Sequence, residues 1–406
     1  MMNKHKIIND PVYGFITIPY STVFDLIEHP YFQRLRRIKQ LSLTAYVYPG
    51  ALHTRFHHAL GAMHLVTQAV NALRRKDVDI SHAEAEAVTI AILLHDIGHG
   101  PFSHTLEYAL TRNVAHESLS LLFMQAINRE MGGKLDLAIE IFKGDYAKPF
   151  LHELVSSQLD MDRLDYLRRD SFFTGVQEGT IGFERIIKML NVKNQKLVVE
   201  HKGIYSVEQF LIARRLMYWQ VYLHKTVLVA EAMLVKALLR ARQLLQSGVA
   251  VFATPPFAYF LQNDIQMSDF ERNPDLLNCF ADMDDTDIEI SIKAWAKHPD
   301  KVLRILSEGI LYRRLLRIEL EPTAFDAESI ARLKQNIAMQ YEISLADADY
   351  LVFNDTTSNS AYTFKHTPIH ILYKDGSVRD VAEASDYLNI AQLAHPVVKH
   401  YLCYPK

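Results

Sequence analysis

Apolar residues at Ala59, Met63, Val66, Val70 and Leu73 recur three or four positions apart, which predicts an amphipathic helix with His58 in its first turn. A second helix is announced by a capping box, Ser81-x-x-Glu84, and runs through Val88, Ile90, Ala91, Ile92 and Leu94 until Gly98 stops it. It is apolar all round near its end, as expected of a central, buried helix. Upstream, β-branched and aromatic residues around Gly14, between Pro11 and Pro19, predict a short hairpin or extended arm. From Thr22 to Leu41 the pattern turns helical and basic. Downstream, Ser103 is placed to cap a short helix carrying His104 and Glu107, and a further helix is expected from Leu151 to about Arg169. The segment Lys196 to Tyr205 reads as a hairpin turning near Lys202-Gly203. Val207 to Ser247 holds neither glycine nor proline, so it predicts one very long helix or two closely spaced ones, a spine for several elements or for a second subunit.

The last third changes character. It opens with Thr254-Pro255-Pro256, carries acidic residues at Asp282, Asp284 and Asp285, and ends in a strand-like run from Tyr362 to Tyr373 before an Asp375-Gly376 turn. The expectation is a mainly α chain with a first domain over 1–250 and, over 251–406, a helical extension with a small α+β lobe.

Composition narrows the classes. A chain of 406 residues with 49% hydrophobic and 22% charged residues can bury a large core. A formal net charge of -3 argues against nucleic-acid binding driven by bulk charge. Cys279 and Cys403 form no spaced pattern, so neither a disulfide framework nor a thiolate zinc site is expected. No apolar run reaches the roughly 18–20 residues of a membrane span, and the start is polar. A cytoplasmic protein without membrane partners is the expectation. The 19 histidines are the oddity, because they gather between His53 and His116.

That gathering centres on Leu94-His95-Asp96-Ile97-Gly98-His99-Gly100-Pro101. Unpaired polar atoms are costly at the end of a buried helix, and a divalent cation offsets that cost. His95 and Asp96 are adjacent, so both face one ion only where a helix terminates. With His58 and Asp162 they make two nitrogen and two oxygen donors, a set that suits manganese, iron, nickel, zinc or magnesium. Asp162, Tyr166 and Asp170 fall at i, i+4 and i+8 and share one helix face; a solvated charged face is the plainer reading of that spacing. Arg214, Tyr218 and Tyr222 repeat it, with Lys225 near the same face, and suit a triphosphate and its sugar, although a packed aromatic stripe has the same pattern. His104 and Glu107, at i and i+3, are a candidate general acid and its supporting carboxylate, and His116 is a further candidate.

Together, His58, His95-Asp96 and Asp162 resemble the H…HD…D signature of the HD-domain phosphohydrolase superfamily. The runs Phe32 to Leu41, Tyr48-Pro-Gly-Ala51 through His58, Gly98-His-Gly-Pro-Phe-Ser-His104 and Asp162-Arg-Leu-Asp-Tyr166 are similar to the SAM-and-HD-domain deoxynucleoside triphosphate triphosphohydrolases and their bacterial relatives, over about residues 7–240. The resemblance implies an HD-domain helical bundle core over about 48–175, a spine helix over about 207–247 and cleavage of a (deoxy)nucleoside triphosphate into nucleoside and tripolyphosphate. It implies one divalent metal on His58, His95, Asp96 and Asp162, with a second magnesium ion brought by the substrate phosphates. His104, supported by Glu107, would protonate the departing sugar oxygen. His99, His116, Arg55 and Arg163 would contact phosphates, and Gln40 and Leu41 would lie by sugar and base. Tyr166 and Asp170 would hold the 3′ edge of the sugar, while Arg214 and Tyr222 complete the wall with Tyr218. Asn9, Glu28, Gln33 and Arg36 match a regulatory nucleotide site, and the family habit is a homodimer or homotetramer. Departures touch selectivity: Arg163 stands for lysine, Tyr218 for histidine, Leu223 for glutamine and Glu28 for aspartate. No room for a SAM domain is expected ahead of Ile8. The alternatives are an HD-type nucleotide phosphatase or phosphodiesterase, or a catalytically silent nucleotide-binding module.

Overall fold

The computed structural model describes residues 6–102, 105–111, 114–359, 368–386 and 396–406, with the side chain of Tyr108 also outside the description. The chain is mainly α-helical. It opens with a two-stranded antiparallel hairpin, Ile7–Asp10 against Gly14–Thr17. The helical stretch expected over Thr22 to Leu41 is broken: Ser21–Glu28 ends ahead of Pro30, and a short turn and a 3-10 turn at Arg34–Arg37 follow. Proline sets that boundary because it cannot donate to the preceding helix.

Helix Arg55–Arg74 begins at Thr54, where the His57 ring accepts from the Thr54 backbone N–H at 3.2 Å. Helix His82–Leu94 starts at the expected capping box, Ser81 with Glu84. It is buried at nearly every position and packs between Arg55–Arg74 and Asp136–Lys143. It ends at Leu94, four residues before Gly98, so His95 and Asp96 sit in the turn that leaves the helix. Gly98 is needed there because a Cβ would run into the backbone of His116 and Ser120.

The single helix expected from Leu151 to about Arg169 is two, Pro149–Val155 and Met161–Thr174. Asp160 makes the break: its carboxylate accepts from Ser157 N and from Arg163 N, each at 2.7 Å, and caps the second helix. The hairpin is displaced as well. Its strands are Leu190–Lys193 and Lys196–Glu200, turning at Asn194 and Gln195, both left-handed, while Lys202-Gly203 leads into helix Ile204–Met217. The spine is two helices, Ile204–Met217 and Lys225–Gln246, joined through a π-helical turn at Tyr218–Tyr222.

Beyond residue 250, short helices from Pro255–Gln262 to Lys301–Leu311 precede a three-stranded antiparallel sheet ordered Arg317–Glu321, Val397–Tyr404, Phe353–Asn359. The expected run from Tyr362 overlaps residues outside the description; within it, His370–Leu372 is a strand lying parallel to Lys196–Glu200. Late and early segments thus share a sheet, and one continuous hydrophobic core runs through both.

Candidate active site

Three helix ends converge on one point. The first turn of Arg55–Arg74 brings His58, the exit of His82–Leu94 brings His95 and Asp96, and the first turn of Met161–Thr174 brings Asp162. His58 Nε2 lies 3.0 Å from Asp162 Oδ1 and 3.4 Å from His95 Nε2; His95 Nε2 lies 3.4 Å from Asp96 Oδ1 and 3.5 Å from Asp162 Oδ1. A cation with bonds of about 2.0–2.2 Å holds neighbouring ligand atoms roughly 3–3.5 Å apart, so the donor set fits one ion.

The imidazoles are aimed for that task. His58 Nδ1 donates to Asp165 Oδ2 at 2.8 Å and His95 Nδ1 donates to the Ile92 carbonyl at 2.6 Å. With both Nδ1 protons directed outward, both Nε2 lone pairs face the centre. Electrostatics draws positive charge to the same point. Burial opposes a charge on His58, but hydrogen bonds to Asp162 and Asp165 override it and push the ring up to about 10. Burial also works against Asp162, yet its bonds to His58 and His95 hold it well below the usual carboxylate range. Asp96 is depressed in the same way by His95, Arg55 and His58.

Asp165 is the residue that the sequence reading passed over. It is fully buried and takes both ends of Arg169, at 3.0 and 3.1 Å, while Arg169 reaches Asp10 at 2.7 Å. Asp10 in turn caps the turn of the N-terminal hairpin through the amides of Val12 and Tyr13. This buried chain runs from the first hairpin to His58. Its one sequence signal was the second aspartate of Asp162-Arg-Leu-Asp165. Gly61 makes room for it, because a Cβ there would strike the Asp165 carboxylate and the Arg169 guanidinium.

The turn after Asp96 is fastened from outside. Arg34 donates to the carbonyls of Ile97 and His99, and Ser120 Oγ donates to the His95 carbonyl at 2.7 Å. Asp285, from the last third of the chain, accepts from Lys39 N at 2.9 Å and from Phe102 N at 2.8 Å.

The centre opens into a cavity of about 730 Å³. Arg55, which also pairs with Asp96, lines it, as do His99, His116, Arg163, Tyr166, Asp170, Tyr218, Tyr222, Gln40 and Leu41. The His99 and His116 rings meet edge-on at 3.8 Å. Asp170 is held by His53 at 2.7 Å and by Tyr222 at 2.8 Å; His53 had been given no role. Glu107 accepts from the His116 backbone at 2.7 Å and from its ring at 3.0 Å. His104, expected beside Glu107, lies outside the described residues. Arg214 is not among the cavity-lining residues; it donates to Gln158 at 3.0 Å. Of the expected regulatory residues, Gln33 and Arg36 are bonded to each other at 2.8 Å, Gln33 also donates to the Ile27 carbonyl beside Glu28 at 2.7 Å, and Asn9 and Glu28 are exposed.

Comparison with known proteins agrees with this geometry. The HD domain family matches residues 55–157, and the HD associated region matches 181–251. The chain is 31% identical to the uncharacterized protein YwfO of Bacillus subtilis, an alignment covering 100% of this chain and 93% of that protein. It is 31% identical to human deoxynucleoside triphosphate triphosphohydrolase SAMHD1 over 58% of this chain and 44% of the human protein, so it spans under half of that relative. The crystal structure of a phosphohydrolase from Bacteroides thetaiotaomicron superposes with a TM-score of 0.96 at 53% identity, covering 99% of this chain and 100% of that one. With His58, His95 and Asp162 converging, Asp96 beside them, and relatives matched along nearly their whole length, the chain belongs to the HD-domain phosphohydrolase family.

Proposed function

We propose that this protein hydrolyses (deoxy)nucleoside triphosphates to nucleoside and intact tripolyphosphate with one divalent metal ion on His58, His95, Asp96 and Asp162. The observation that carries the proposal is the composition of one cavity wall. Metal-facing groups, cationic and imidazole side chains, and a tyrosine–aspartate set all line a space within the roughly 300–1,000 Å³ range of small-molecule sites. The 31% identity to a triphosphohydrolase supports the same reading.

A bound divalent cation supplies Lewis-acid polarisation of a phosphoryl oxygen. The protein's own groups do the rest. Arg55 and Arg163 neutralise the triphosphate, and His99 with His116 offers neutral or protonated donors to the same oxygens. Asp96 also belongs to a neighbouring group with His99 and His116, where a second magnesium ion carried by the phosphates would be met. The Glu107 carboxylate fixes the His116 tautomer by accepting a hydrogen bond from its Nδ1–H. Tyr166, Tyr222 and Asp170 position the sugar. Water adds its oxygen to the α-phosphorus, the bond to the sugar 5′ oxygen breaks, and that oxygen takes a proton, the role assigned to His104. Among the described residues no helix is long and apolar enough to cross a membrane. A cytoplasmic setting, a homodimer or homotetramer, and a nucleotide effector near Asn9, Glu28, Gln33 and Arg36 belong to this proposal.

The test incubates metal-supplemented protein with ribo- and deoxynucleoside triphosphates, singly and in pairs, and resolves the products by chromatography. Nucleoside with tripolyphosphate is the expected outcome. Diphosphates or monophosphates as first products refute the reading and point to a nucleotide phosphatase or phosphodiesterase.

A further inference from the structure

The cavity has a second polar patch besides its charged wall. It is made by Gln40, Ser42, Thr105 and Glu231. Glu231 comes from the helix Lys225–Gln246, one turn after the cavity-lining Leu228. Its carboxyl is hydrogen-bonded to Thr105 and Ser42, whose hydroxyls also bond to each other at 3.0 Å. No cationic side chain pairs with it among the described residues. Burial raises the carboxyl and the two hydroxyls offset this only partly, so it is pushed up to about 7. The Gln40 Oε1 atom, on the same cavity, is buried with no hydrogen-bond partner.

A carboxyl without a counter-ion and an orphaned amide oxygen are both costly when enclosed, and an apolar lining would cost less. Phosphate is the wrong occupant for such a patch, because a carboxyl repels it. A cation is served by the donor set already described. The complement is a neutral hydrogen-bond donor, since the Glu231 carboxyl offers at least one acceptor oxygen in either protonation state. Leu41, between Gln40 and Ser42, and Leu228 supply apolar flanks of the kind that cover a sugar or base face.

We propose that Glu231 is a specificity-determining residue that accepts a hydrogen bond from the nucleoside end of the substrate, either an exocyclic amino group of the base or the sugar 2′-hydroxyl. The proposal rests on the triphosphate reading above and assigns the part of the substrate that carries no phosphate.

The test measures kcat/KM for wild type, Glu231→Leu and Glu231→Gln. Three substrate pairs separate the donors: dATP against dITP and dCTP against dUTP for the base, ATP against dATP for the sugar. Glu231→Leu is expected to lose about 10–100-fold on substrates bearing the recognised donor and little on their partners. An effect in the amino/oxo pairs identifies the base, and one in the ribo/deoxy pair identifies the sugar. Glu231→Gln keeps an acceptor oxygen and gains an amide donor, so oxo bases improve relative to amino bases if the base is read. An unchanged profile, or a uniform loss across all substrates in both variants, overturns the proposal. If wild type cleaves no triphosphate, the triphosphohydrolase reading fails separately. Glu231 is then judged by titrating wild type and Glu231→Leu with adenosine, deoxyadenosine, inosine and deoxyinosine. A donor-dependent loss of affinity supports the assignment, and equal or absent binding overturns it.

Discussion

Replacing Asp165 by asparagine removes one charge from a fully buried chain while keeping its shape. In the native protein, Asp165 accepts from His58 Nδ1–H at 2.8 Å and from Nε and one terminal nitrogen of Arg169 at 3.0 and 3.1 Å. Two losses follow, and they are separable. First, a neutral amide oxygen accepts from His58 Nδ1 more weakly than a carboxylate and is contested by Arg169 Nε. The tautomer that aims Nε2 inward is then less firmly held, and disturbing such a partner costs about 10–100-fold in metal affinity. Second, Arg169 keeps only Asp10 as a partner, at 2.7 Å. Breaking a buried ion pair costs about 3–5 kcal/mol, an upper figure here because Asp10 remains and the amide oxygen still accepts. Denaturant unfolding with and without metal distinguishes the two. At a metal concentration of about 1,000 times the wild-type Kd, the ion stabilises by about 4 kcal/mol; a 100-fold weaker site at that concentration leaves about 1.4 kcal/mol. The expected result for Asp165→Asn is therefore a less stable apoprotein and a smaller metal-induced increment. An apoprotein that is less stable but gains the full increment refutes the orienting role and leaves Asp165 as a structural ion-pair partner alone.

Gly61→Ala should have a related effect, since its methyl displaces the Asp165–Arg169 pair; we expect a loss of about 1–3 kcal/mol by denaturant unfolding together with reduced metal content. Asp96→Ala should lose metal and activity together, whereas His104→Ala should retain metal and lose turnover; identical metal content in the two contradicts the division of roles. For pH, burial works against Glu84, but Ser81, Tyr146 and Lys148 override it and depress its carboxyl to about 2. A depressed carboxyl contributes stability that is complete above about 4.5 and vanishes as pH falls through about 2, so Glu84→Gln should flatten the acid limb of a stability–pH curve in that window and leave the neutral limb parallel.

His95 and Asp96 were legible because they carry a signal that no structural need explains, titratable groups at the close of an apolar helix, whereas His58 and Asp162, in the first turns of two other helices, joined them through the resemblance. The Ser81–Glu84 box marked a helix start that the structure reproduces. Other features depended on partners far along the chain. Asp165 and His53 act on His58 and Asp170, 107 and 117 positions away, so neither role shows in the local sequence beyond the repeated aspartate of Asp162-Arg-Leu-Asp165. The break at Asp160 was missed because it holds neither glycine nor proline and is made by one carboxylate accepting from two backbone amides. The hairpin turn was drawn to Lys202-Gly203, the conspicuous glycine, while the chain turns at Asn194-Gln195 in left-handed backbone without one.

Asp285 bears on how portable this catalytic unit is. One carboxylate, 246 positions from Lys39 and 183 from Phe102, ties the segment before the cavity-lining residues Gln40 and Leu41 to the turn after His99. The HD domain and HD associated region matches end at residue 251, so a fragment cut there keeps His58, His95, Asp96 and Asp162 and loses that fastening. Such a fragment should bind metal weakly and turn over poorly, and Asp285→Asn in the whole chain, which keeps one acceptor oxygen and turns an amide NH2 toward the other backbone donor, should show a milder form of the same loss. By this logic the late helices are not cargo appended to an enzyme, and the family's motifs cannot be exchanged between chains as a cassette without them.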